Sequence, residues 1–128
     1  MRKVVLDTNV IVRYFVKDNL RQFQQAQHLI KDIEQNKVCG LISLLVMHET
    51  VWILENYYNL KRKEFIPGVL QLLALRNLKI IEVKKEVVLN VLAKMQLRKI
   101  DFTDIYLAEI AEHRKIFSFD KDFEKLNN

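Results

Sequence analysis

The sequence predicts an α/β fold in which a central parallel sheet of short strands is flanked by helices. Three observations carry that expectation. Short apolar runs recur along the chain, at Val4–Leu6, in "VCGLIS", in "LKIIEV" and in "IFSF". Longer stretches with helical spacing separate them. The runs are apolar at successive positions, as expected of strands covered on both faces.

The first strand is placed at 3–7, and helices follow at about 9–17 and 21–35, the latter carrying Phe23, Ala26, Leu29 and Ile33. A second strand occupies 38–43. "LLVMHETVWILENYY" (44–58) is too long for a strand and apolar nearly all round, so it reads as a buried helix. Residues 61–75 read as helix with an irregularity or kink at Pro67-Gly68. The third strand is 78–83. From Glu86, the residues Val87, Val88, Val91, Leu92 and Met95 recur with helical period. Helix 101–115 and a fourth strand at 116–119 complete the order. In an open parallel sheet, ligands bind beyond the carboxyl ends of the strands.

Composition narrows the class. The chain has 128 residues, half of them hydrophobic, with two glycines and one proline, which suits a single domain over 1–128 with a real core. No apolar stretch is long enough to span a bilayer, and Arg2-Lys3 precede too short a run for a signal peptide. The one cysteine, Cys39, excludes an intramolecular disulfide and reads as a small buried hydrophobe. A cytoplasmic protein with no membrane partner is expected. The net charge of +5 arises from 21 Lys and Arg against 16 Asp and Glu. Clusters at Lys61-Arg62-Lys63, Lys84-Lys85, Arg98-Lys99 and Arg114-Lys115 read either as solvated helix ends or as a surface for a polyanion.

Four carboxylates stand in telling places, each with a plain structural reading beside the chemical one. Asp7 interrupts "VVLDTNVIV" at the end of the first strand, as a helix cap or as a charge the site needs. Glu49 has Leu45, Val46, Trp52 and Ile53 as its helical neighbours, so it is expected on a greasy face with no cation at i±4. Asp101 and Asp104 open the helix at 101–115; Asp101 reads as its N-cap, while Ala108 and Ala111 above Asp104 leave room for a cavity. Asp120 follows the fourth strand, as a cap or a ligand, and Asp122 is expected to point elsewhere. Carboxylates gathered together repel and call for a cation. Oxygen donors favour Mg²⁺ or Mn²⁺ over zinc, and no His/Cys set has zinc spacing.

"VVLDTNVIV", the helical Glu in "LLVMHETVW", "DFTDIYLAEIA" and "IFSFDKDF" resemble, in order and spacing, the four signatures of PIN-domain ribonucleases. The compact length is similar to VapC-type toxins of toxin–antitoxin pairs. The resemblance implies a three-layer PIN-like fold with four to five short parallel strands. It implies metal-binding and catalytic roles for Asp7, Glu49, Asp104 and Asp120, and supporting roles for Asn9, Ser118 and Asp101. The activity implied is Mg²⁺- or Mn²⁺-dependent endonucleolytic hydrolysis of single-stranded or structured RNA. Asp7 and Asp104 would hold the principal metal, Asp120 would help complete its shell, and Glu49 would act through water or as a base. A cognate antitoxin and a homodimer are the partners implied. Trp52 and the pair Tyr57-Tyr58 would serve a dimer interface, or Trp52 would lie in the core.

Other readings make different demands. A phosphatase with an Asp nucleophile wants a second acid two residues after Asp7, where Asn9 stands. A receiver-like phosphoacceptor wants an Asp in the middle of the chain, which "VCGLIS" does not supply. A protein-binding module with structural carboxylates needs no metal at all. A dinucleotide-binding fold lacks its glycine-rich turn.

Overall fold

The computed structural model describes residues 1–126, with side chains described except at 124 and 125. Three strands form one parallel sheet in the order β1 (Arg2–Val5), β2 (Val38–Ile42), β3 (Leu78–Ile80). Among the described residues, seven α-helices accompany it: α1 (Thr8–Phe15), α2 (Leu20–Glu34), α3 (Leu44–Trp52), α4 (Arg62–Leu73), α5 (Lys85–Leu97), α6 (Phe102–Ala111) and α7 (Asp122–Leu126). A π-helical turn, Ile53–Tyr57, extends α3. The expected α/β architecture with a parallel sheet holds.

The sheet is built around β2, whose residues are buried at every position but Leu41. Gly40 sits at its centre for a steric reason. A Cβ there would lie 2.7 Å from both Ile33 Cδ1 and Leu78 Cδ1, so the missing side chain lets α2 and β3 close on the strand. Leu6, Ile33, Ile42, Leu54, Ile66 and Leu78 lie in the core cluster. Cys39 is buried and unpaired, as its reading as a small hydrophobe expects. Among the described residues, no helix is long and apolar enough to cross a membrane.

Three local expectations are corrected. The sheet has three strands, not four or five, because 116–119 forms no strand and Phe117 and Phe119 are 84% and 96% exposed. The same finding explains β1: with no neighbour on its outer side it is an edge strand, largely exposed, and the buried residue is Leu6 just beyond it. α4 runs without interruption from Arg62 to Leu73 with Pro67 inside it. Gly68 there packs on the Phe15 ring, 3.0 Å from where a Cβ would stand. The last long helix ends at Ala111 rather than Lys115, because Glu112 takes φ 56°, outside the helical region.

Candidate metal centre

Asp7 accepts a hydrogen bond from the backbone N–H of Thr8 at 2.8 Å, which makes it the N-cap of α1. The buried Thr8 then donates its hydroxyl to a carboxylate oxygen of Glu49 on α3. One residue therefore ties Asp7 to Glu49, with 41 positions of chain between Thr8 and Glu49. Thr8 lies inside the quoted "LDTN" stretch, yet only Asn9 is singled out there by sequence. Asn9 is exposed and lines a hollow with Val10, Arg13, Gln22 and Gln25, and among the described residues it makes no hydrogen bond to Asp7. The polar residue that joins the two acids is Thr8.

Glu49 is not buried. The face it occupies is open, with Leu45 76% and Trp52 56% exposed. The helix instead turns Met47, Thr50 and Val51 inward, and Leu54 follows them in the π turn. Trp52 is accordingly a surface residue, as is Tyr57, while Tyr58 is half-buried.

The second group of acids lies at the start of α6 and in the loop before α7. Asp104, Asp120 and Asp122 each present a carboxylate oxygen, and these atoms all fall within 4.8 Å of one another. Asp122 is the residue that sequence reasoning turned away. Two successive turns bring it in: Asp120 N–H donates to Ser118 Oγ, and Asp122 N–H donates to Asp120 Oδ1, each at 2.9 Å. A strand through 118–122 would also place alternate residues on one side, but here the folded loop does so and α7 begins at the third acid. Ser118 thereby shapes the loop that carries Asp120.

Electrostatics mark the same place. Burial, and then the charges of Asp120, Asp101 and Asp122, push the Asp104 carboxyl above the usual carboxylate range. An acid that resists ionising among other acids is relieved by a cation. Three oxygen donors within ligand reach suit a hard divalent ion such as Mg²⁺ or Mn²⁺. Asp101 stands at the N-cap position of α6 but makes no capping bond; its carboxylate lies 3.8 Å from Arg62 Nη2. Asp7 and Glu49 are not within ligand distance of the aspartate group as a set.

A hollow of about 260 Å³ opens beside Asp104, between α6 and the outer face of α3. Trp52, His48 and Phe102 are among its walls.

Residues 4–128 match the PIN domain family. The chain belongs to that family. No curated protein and no solved structure matches it. PIN domains are generally nucleases, they typically bind divalent metals, and PIN nucleases bind RNA. In this PIN domain the acids at Asp104, Asp120 and Asp122 form the carboxylate group able to hold such a metal.

Proposed function

We propose that this PIN domain is a metal-dependent endoribonuclease that hydrolyses phosphodiester bonds of single-stranded or structured RNA. The observation that carries the reading is the convergence of Asp104, Asp120 and Asp122, whose carboxylate oxygens lie within 4.8 Å of one another, with the Asp104 carboxyl raised by burial and by its acidic neighbours.

Asp104, Asp120 and Asp122 would supply the principal oxygen donors for Mg²⁺ or Mn²⁺, and Asp7 would approach from the end of β1. The bound ion would activate water and stabilise charge on the phosphate oxygens. Glu49, positioned by Thr8, would orient the attacking water as a base or hold it through a hydrogen bond. Ser118 would keep the acidic loop folded through its bond from Asp120 N–H. Asp101 would hold Arg62 at the rim, and Asn9 would stay outside the acid group on α1.

A toxin role of VapC type, a cognate antitoxin, a homodimer and a cytoplasmic setting belong to the same proposal. They rest on the resemblance to that family branch rather than on geometry. Growth arrest on expression, relieved by Glu49→Gln or Asp104→Asn, tests the toxin role.

Incubation of the purified chain with single-stranded RNA and Mg²⁺ tests the activity itself. Cleavage is expected with Mg²⁺ and absent with a chelator. Asp104→Asn is expected to lower it at least a hundredfold. Chelator-resistant cleavage that the variant retains would overturn the reading.

A further inference from the structure

The hollow beside Asp104 is aromatic on one wall and continues into a basic groove. His48, Trp52 and Asn56 fall at successive i, i+4 positions along α3 and its π turn, and all three line the hollow. The His48 ring meets Phe102 edge to face, with centroids 5.4 Å apart. Trp52 is 56% exposed, an unusual position for the chain's one tryptophan. Asn56 donates to the Trp52 carbonyl at 3.1 Å, and among the described residues its amide oxygen has no donor. A flat, polar-edged aromatic ligand suits these walls, as a nucleobase would.

A groove of about 680 Å³ adjoins this hollow, and Glu55, Met95 and Asp101 line both. Five cations line it: Lys61, Arg62, Lys63, Arg98 and Lys99. Its two acids, Glu55 and Asp101, are both paired with Arg62. Arg62 is thus occupied in holding the groove together, and the exposed Lys61, Lys63 and Lys99 face the solvent side. Helix-end electrostatics do not account for them all. Lys61 is the N-cap of α4 and Lys63 lies in its first turn, where the macrodipole disfavours positive charge.

We infer that the hollow and groove form one track for a single strand of RNA: a base beside the scissile phosphate stacks against Trp52, and the phosphates beyond it run over Lys61, Lys63 and Lys99. The inference rests on the ribonuclease reading for its substrate class. It adds which strand contacts this chain makes, and it fixes the direction in which the strand leaves the acids.

The full chain is titrated with a ten-nucleotide single-stranded RNA in chelator, so that cleavage does not intervene. Binding is expected to quench Trp52 fluorescence. An RNA of equal charge with abasic sites is expected to bind more weakly and leave the emission unchanged. Lys63→Glu with Lys99→Glu is expected to weaken binding at least tenfold and to flatten its salt dependence, by about 0.7 in log–log slope per lost phosphate contact. Lys31→Glu with Lys37→Glu makes the same charge change at exposed residues outside the groove and is expected to cost less than threefold. Equal losses from the two double variants, or equal quenching by the abasic strand, would overturn the track. So would wild-type binding too weak to detect while Mg²⁺-dependent cleavage persists. Tight binding without cleavage in Mg²⁺ would leave the track standing and overturn the nuclease reading instead.

Discussion

Thr8 is capped through its backbone and bridges through its side chain. Its N–H goes to Asp7 and its hydroxyl to Glu49, so a single buried residue sets two acids from distant parts of the chain. Thr8→Val keeps the branched shape and the N–H but removes the donor to Glu49. Cleavage is expected to fall about tenfold, with the helix cap intact; unchanged cleavage at equal stability would separate Glu49 from the chemistry. Asp104 makes the complementary point. A carboxyl raised by burial and like charges is harder to ionise in the folded chain than in the unfolded one, so stability falls as pH rises from the ordinary carboxylate range through the raised folded pKa. Asp104→Asn should therefore raise the melting temperature slightly at neutral pH without metal. Mn²⁺ should raise the melting temperature of the wild type and leave the variant almost unmoved. Asp104 and Asp120, two of the three acids that come together, stood out as candidates because a charge amid apolar residues is visible in one dimension. Asp122 did not, because its approach depends on two consecutive turns that no periodicity announces.

Among the elements, the N-terminus of α4 is pinned by one side chain. Arg62 Nε donates to Glu55 at 2.5 Å, and Nη1 donates to the carbonyls of Arg98 and Ile100 at 2.9 and 2.8 Å. These carbonyls lie just past the end of α5, where no further helical turn can pair them. Arg62→Ala would strand Glu55 and those carbonyls together, at a cost of about 2–3 kcal/mol in chemical denaturation. Lys63→Ala next to it, exposed, should stay within about 0.5 kcal/mol. Helices with a regular apolar stripe, such as α2 and α5, were legible to within a few residues. The last strand was not, since "IFSF" has strand-like composition but no partner, and β-propensity follows packing rather than composition. The face of α3 was misjudged for a related reason: apolar neighbours predict burial only if something covers them, and Leu45 and Trp52 lie open.

Across the molecule, the sign of the charge is divided by location. The carboxylates of Asp104, Asp120 and Asp122 gather at one point, while the groove beside them is lined by lysines and arginines. The net +5 alone could not show that arrangement, because 61–63 and 98–99 meet only through the packing of α4 on α5. An acidic centre able to hold a cation, beside a basic groove, is the expected layout for hydrolysis of a polyanion by water. The ends of the cleaved RNA test this most directly. Water activated at the carboxylate centre leaves 5′-phosphate and 3′-hydroxyl ends, and their amount should follow Mg²⁺ and vanish in Asp104→Asn. Fragments ending in 2′,3′-cyclic phosphate and 5′-hydroxyl would mean that the ribose 2′-hydroxyl attacks, and would contradict the account.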